Sequence, residues 1–134
     1  MSGVKPSQMS AATIAAFKTA LGLDDAESLT AFFYTPVDKV DDHTLELTDA
    51  WKSVTVTAAT AKTVTIPLNS VVAFPLNVRL DVLRYGVGDV TIAATGGVTL
   101  HSESSMTKVG AQYAGVTLIQ TAIDTWVILG RLKS

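Results

Sequence analysis

The chain has 134 residues, of which 48% are hydrophobic and only 16% are charged. In typical soluble domains about a quarter of the residues are charged. Because this chain has fewer, we expect some of its apolar surface to be buried against other subunits or another protein. Ten basic and twelve acidic residues leave a net charge of −2, and the scattered lysines and arginines disfavour nucleic acid as a partner.

A short helix is predicted near the amino terminus. Ser10 can serve as its N-cap, and Gly22 can end it in the left-handed conformation. Ile14, Phe17 and Leu21 fall on one face at the spacing i, i+3 and i+7. A helix this short is marginal alone, so we expect the face to dock on the body of the chain, on a sister subunit or on a host surface.

Residues 24–43 are predicted to form a connecting arm. Two acidic clusters flank an apolar stretch in which Phe32, Phe33 and Tyr34 lack helical spacing, which indicates a short strand or an extended segment. Arms with exposed aromatic residues usually dock on a neighbour. We therefore assign residues 1–43 to attachment and oligomerisation, with these contact residues: Ile14, Phe17, Leu21, Phe32, Phe33 and Tyr34.

From residue 44 onwards, apolar and polar residues alternate, as in strands with one buried face. Gly96-Gly97 is a two-residue hairpin signal, and residues 86–89 and 123–125 mark two further turns. Gly86 and Gly88 are expected to supply turn dihedrals, and the strand that follows them excludes a dinucleotide-binding loop. Roughly seven or eight short strands with such turns predict an antiparallel β-sandwich of jelly-roll type over residues 44–134.

Few residues offer chemistry. The chain has no cysteine, which excludes disulfides and thiolate sites, and no apolar run approaches the ~20 residues of a membrane-spanning helix, which disfavours membrane insertion. The run Asp38-x-x-Asp41-Asp42-His43 has ligand types for a divalent ion, or it is a solvated loop before the first strand. We favour the loop, and we expect no metal and no cofactor.

No catalytic residues are predicted, so we expect that the chain is not an enzyme. His101-Ser102-Glu103 has the residue types of a hydrolytic triad, but the three lie along one extended segment without an oxyanion-hole motif. We expect them to form an exposed polar loop. Glu46 and Glu103 are the candidate carboxylates for a polysaccharide hydrolase, which would need a second carboxylate nearby that neither has.

Four aromatic residues offer a sugar-binding platform, because aromatic rings stack on the apolar faces of sugars. They are Trp51, Tyr85, Tyr113 and Trp126. Trp126 lies in an alternating strand and is expected in the core. Trp51 lies in a polar turn and is the better candidate for an exposed aromatic that faces a ligand.

A distinctive order of motifs runs from Val64 to Gly130. A strand leads to Phe74-Pro75, a long strand ends at Gly86-Val87-Gly88, a glycine hairpin follows, and Thr125-Trp126-Val127 begins the closing strand. This order, over about half of the chain, resembles a β-domain of tailed-phage virion proteins, which include capsid decoration proteins and fibre tips. Asn77 stands where similar proteins tend to have a glycine.

The resemblance implies a trimer of jelly-roll-like domains on the exterior of a phage particle, without catalytic residues. We expect a capsid decoration protein, of the cement or head-fibre kind, that docks through its N-terminal arm on the major capsid protein or on another virion protein. The alternative is a tail-fibre or receptor-binding tip that recognises cell-surface carbohydrate, with Trp51 as the contact residue.

Overall fold

The computed structural model describes residues 36–134, and contacts within the chain divide it between Thr35 and Pro36. The predicted helix lies outside the described residues. So do all six predicted contact residues: Ile14, Phe17, Leu21, Phe32, Phe33 and Tyr34. Between residues 36 and 134, no helix is long and apolar enough to cross a membrane.

Eleven strands form two sheets in residues 36–134. Sheet A contains six strands, in spatial order β1 (Val37–Lys39), β3 (Ser53–Val56), β5 (Arg79–Arg84), β9 (Gly115–Ala122), β10 (Thr125–Gly130) and β7 (Thr99–His101). Sheet B contains five, in the order β11 (Leu132–Lys133), β8 (Lys108–Val109), β6 (Val90–Ala94), β4 (Lys62–Ile66) and β2 (His43–Thr44). Two 3-10 turns, Leu47–Asp49 and Glu103–Ser105, lie in the connections.

The first six strands form a stack of three arches. They alternate between the sheets, so that β1, β3 and β5 are parallel neighbours in sheet A while β2, β4 and β6 are parallel neighbours in sheet B. Hydrogen bonds continue around the bend, because Tyr85 N–H donates to the Val56 carbonyl and Gly88 N–H to the Ala58 carbonyl. Each arch consists of a strand in sheet A, a connection and a strand in sheet B. Residues 37–94, called the arch stack below, thus contain three such arches stacked on one another, as in β-solenoids.

Residues 99–134 complete both sheets, mainly with antiparallel strands, and are called the C-terminal region below. The β9–β10 hairpin pairs antiparallel with β5 in sheet A, and β8 and β11 pair antiparallel beside β6 in sheet B. Asp124 turns the hairpin with a φ of 54°, which an aspartate tolerates better than most residues. The turn predicted at residues 123–125 is therefore confirmed.

The inward-facing residues of both sheets share one core. In β4, for example, Val64 and Ile66 are buried while Thr65 between them is not. Trp126 is 1% exposed, and its ring meets the ring of Phe74 edge to face, with the centroids 5.5 Å apart. The prediction that Trp126 belongs to the core is confirmed.

The prediction of a mainly β chain is also confirmed, but the pairing is mixed. Of the nine strand pairs in residues 36–134, five are parallel and four antiparallel. The hairpin predicted at Gly96-Gly97 is wrong, since this connection carries the chain from β6 in sheet B to β7 in sheet A. Alternating apolar and polar residues indicate only that one face of a strand is buried. This holds both when the next strand pairs in the same sheet, as in a hairpin, and when it lies in the opposite sheet, as in an arch.

Residues 37–43, assigned to the arm from sequence, contribute β1 and the first residue of β2, which pair with β3 and β4. The prediction that Gly86 and Gly88 supply turn dihedrals is wrong, because neither has a positive φ. They allow close approach instead. A Cβ at Gly86 would lie 1.9 Å from the Ala58 carbonyl oxygen, and one at Gly88 would lie 2.1 Å from that of Thr60.

Candidate functional site

Most connections between strands gather at two ends of residues 36–134, because the neighbouring strands are paired in register and so begin and end at similar levels. One end lies where β5 begins and is called the Trp51 end; it contains residues 45–52, 67–78, 95–98 and 123–124. The other lies where β5 ends and is called the Tyr85 end; it contains residues 40–42, 57–61, 85–89 and 110–114.

Exposed large hydrophobic side chains concentrate at these two ends. The Trp51 end presents Leu47, Trp51, Val71, Leu76 and Ile123. The Tyr85 end presents Val40, Tyr85, Val87 and Tyr113. Within the described residues, the only further member of this group is Leu129, on β10. Apolar surface therefore remains available at both ends of the domain.

Tyr85 and Tyr113 form an aromatic pair at the Tyr85 end. Their ring centroids lie 5.8 Å apart with the planes at 76°, and the two residues are 51% and 75% exposed. Edge-to-face packing of this kind is favourable beyond the area that it buries. Each tyrosine also has a backbone tie, since Tyr113 N–H donates to the Arg84 carbonyl and Gln112 Nε2 donates to the Tyr85 carbonyl, at 2.6 and 2.9 Å.

The backbone at Tyr113 is strained, with a φ of 66°. An aromatic residue rarely adopts this conformation, which costs about 1–3 kcal/mol and persists only where the surroundings hold it. Such outliers cluster at functional sites. Because Tyr113 is 75% exposed, burial of its side chain does little to offset this cost.

A buried arginine and two partly exposed charged residues interact in the connection that follows Tyr85. Arg84 is 8% exposed, and its Nη2 donates a hydrogen bond to the Val87 carbonyl at 2.6 Å. Its Nη1 lies 3.0 Å from Asp89 Oδ1 and forms an ion pair with it, but the angles are not those of a hydrogen bond. Lys133 Nζ donates to the same oxygen at 2.7 Å. This hydrogen bond and the charges of Lys133, Arg84 and Lys108 lower the pKa of Asp89, against an opposing effect of desolvation.

Trp51 lies at the opposite end and is 47% exposed. It too has a left-handed backbone, with a φ of 65°, and its N–H donates to the Arg79 carbonyl at 3.0 Å. The side chain is accessible, as expected from its polar turn. Its contact with a ligand stays a prediction.

Three of the four residues weighed as a metal site have separate partners. His43 Nε2 lies 2.6 Å from Asp49 Oδ2, Asp42 Oδ1 accepts the Thr63 N–H, and Asp41 lies 3.7 Å from Lys62 Nζ. Among residues 36–134, no three His, Asp or Glu side chains are grouped closely enough to hold a metal ion.

His43 does not lie in a solvated loop, as the favoured interpretation had it. It is 8% exposed and Asp49 only 1%, and the Asp49 carboxylate also accepts the Glu46 N–H at 2.8 Å. The pair was missed because Asp49 is brought back towards His43 only by the 3-10 turn of Leu47–Asp49, which it ends. The available signal was alternation, since His43 occupies the inward position next to Leu45 in the series.

His101, Ser102 and Glu103 line one side of a cavity of about 210 Å³ beside β10, whose other walls include Leu129 and Leu132. Within the described part of the chain, no hydrogen bond joins the three side chains. His101 and Glu103 are exposed. The geometry of a hydrolytic triad is thus not formed among them.

The sites described above cannot be compared with those of a relative. The chain matches no protein-family model, no curated protein and no solved structure. Functional residues are therefore identified from exposure, strain and contacts. By these measures the Tyr85–Tyr113 pair is the candidate site, because it alone in the described region joins two exposed rings on a backbone held by hydrogen bonds.

Proposed function

We propose that the chain is a non-enzymatic structural protein on the exterior of a tailed-phage particle, where it decorates the capsid as a homotrimer. The observation that supports this is the exposed apolar surface at both ends of a β-domain that carries few charges. Such surface is costly to leave in water and is typical of contacts with other proteins. The phage origin rests on the resemblance of the motif order between Val64 and Gly130, in which the expected glycine hairpin is replaced by a connection between the two sheets.

In this role, the residues that precede β1 grip the major capsid protein or sister subunits. The two-sheet domain forms the trimer, as the resemblance implies for a jelly-roll-like domain. Binding across capsomers adds buried interface to the assembled shell only. The shell is therefore stabilised by mass action relative to its separated parts.

Deletion of residues 2–23 tests the attachment. The truncated protein is expected to lose binding to empty shells in a co-sedimentation assay, while its circular dichroism keeps the β signal of residues 36–134. Leu129→Ala, in the β-domain, serves as a control that keeps both. Binding of the truncated protein at wild-type affinity would contradict the role of the N-terminal residues.

The alternative is a tail-fibre or receptor-binding tip that recognises cell-surface carbohydrate. The accessible Trp51 side chain, 47% exposed on a strained backbone, favours it. This alternative predicts a saccharide-dependent change in tryptophan fluorescence that disappears in Trp51→Ala. Because Trp126 is buried, the responding signal would come from Trp51. No response across a glycan panel would count against this function.

A further inference from the structure

The residues that precede β1 join the domain at the Trp51 end. β1 runs parallel to β3, and Val37 is paired with Val54 near the start of that strand. Because β3 follows directly on the Trp51 end, Pro36 lies at this end as well. The chain then crosses sheet A and reaches the Tyr85 end at Val40.

The short link keeps the Trp51 end near whatever those preceding residues bind. Tyr34, one of the predicted contact residues, is two residues from Pro36, and two extended residues span about 7 Å. Val40 follows Pro36 by four residues, which cover about 13 Å along β1. Under the proposed function, on which this inference rests, Tyr34 contacts the shell. The Trp51 end is then the nearer of the two ends.

The Trp51 end also has the apolar surface that a protein contact needs. Its longest connection, residues 67–78, contains no charged residue and presents Val71 and Leu76, which are 75% and 56% exposed. Leu47, Trp51 and Ile123 are exposed on the other connections of this end. Large apolar side chains of this kind are typical of the buried part of an interface, where charged residues are depleted.

The carboxylates at the Trp51 end already have partners within the domain. Glu46 and Asp49 accept each other's backbone N–H in a capping box, and Asp124 Oδ1 accepts a backbone N–H at 2.7 Å. At the Tyr85 end, by contrast, the side chain of Asp41 is 85% exposed and lies 3.7 Å from Lys62 Nζ, beyond hydrogen-bond distance. Burial of a charge without a hydrogen-bonding partner is costly. The Trp51 end can therefore be buried against another protein at the lower cost.

We infer that the Trp51 end lies on the outer surface of the shell, against apolar side chains of the major capsid protein, and that the Tyr85 end points away from it. The two attachments reinforce each other, because residues bound close to Pro36 hold this end at a high effective concentration over the shell. The Tyr85–Tyr113 pair stays accessible on the particle. A receptor-binding tip requires instead that Trp51 stay accessible.

The absence of cysteine from the chain allows one reactive thiol to be placed at either end. Val71→Cys marks the Trp51 end and Val87→Cys the Tyr85 end, at side chains that are 75% and 62% exposed. Both thiols should react readily with a water-soluble maleimide in the free full-length protein, as read from the mass of the chain. On empty shells, the reaction at position 71 should slow by about tenfold or more, because the thiol is covered. The reaction at position 87 should keep its rate.

Val71→Asp tests the same contact by co-sedimentation with empty shells. It places a charge in the contact and should weaken binding by about tenfold or more, whereas the matched control Val87→Asp should bind as wild type. Three outcomes would overturn the inference while leaving the proposed function standing: equal labelling rates at the two positions on shells, slower labelling at position 87 alone, or unchanged binding of Val71→Asp. A wild-type chain that does not bind shells would overturn the proposed function and the inference together.

Discussion

The arch stack and the C-terminal region use similar sequence for different pairing. Both alternate apolar and polar residues, yet β1 to β6 pair in parallel across stacked arches while β9 and β10 form an antiparallel hairpin. The difference lies in the connections. Residues 85–89 rest on the backbone of the arch below through two glycines without side chains, whereas residues 123–124 reverse the chain within one sheet.

The comparison teaches that the connections select the partners of each strand. A hairpin needs only a local turn, which Asp124 supplies with a left-handed backbone. An arch needs room for another arch above it, which depends on residues distant in sequence. We therefore expect the two regions to respond differently to substitutions in their cores, glycines, turns and charges.

The largest effect is expected in the C-terminal region, at Trp126. Trp126→Ala removes a side chain that is 1% exposed and packs on Phe74, so the free energy of unfolding should fall by about 3–5 kcal/mol. Urea unfolding measures it. Leu129→Ala, on the same strand but 50% exposed, should cost less than about 1 kcal/mol; equal losses would mean that the core is placed wrongly.

A second large effect is expected in the arch stack, at Gly86. Gly86→Ala forces a Cβ to within 1.9 Å of the Ala58 carbonyl oxygen, and separating the two arches should cost about 3 kcal/mol. Gly96→Ala is the control, because no atom lies within 4 Å of a Cβ there, and its effect should stay within about 0.5 kcal/mol. A similar loss at both glycines, in the same urea assay, would rule out the stacked arches.

A smaller effect is expected at Asn77, which precedes β5 with a φ of 64°. Asn77→Gly should change the free energy of unfolding by no more than about 0.5 kcal/mol, whereas Asn77→Val should lower it by about 1–2 kcal/mol, because a β-branched residue is disfavoured there. The backbone bond from Asn77 N–H to the Gln120 carbonyl remains in both variants. Equal stability of the valine and glycine variants, measured by thermal unfolding, would contradict the left-handed turn.

The smallest effect is expected at Asp89, which ties the arch stack to β11 through Lys133. Its lowered folded pKa means that the charged form favours folding. That contribution is present above the unfolded pKa of about 3.9 and is lost as the pH falls through the folded pKa. Urea midpoints of wild type and Asp89→Asn should therefore differ at pH 7 and converge in acid; a constant difference would exclude this linkage.

Alternation was enough to predict the buried face of β4 and β10 and the burial of Trp126, and the turn predicted at residues 123–125 is present. It did not predict the arches, because Gly96-Gly97 has the composition of a hairpin turn and still connects two sheets. Nor did it predict the tyrosine pair or the His43–Asp49 pair. Tyr85 and Tyr113 lie on separate connections, and only the pairing of β5 with β9 brings them together.

The proposed role on a capsid can be tested most directly by counting copies of the chain on purified particles with quantitative mass spectrometry. A capsid decoration protein occupies repeated sites over the whole shell, so we predict hundreds of copies per particle. A handful of copies would contradict the proposed role and favour the tail-fibre alternative. Complete absence from the particles would contradict both.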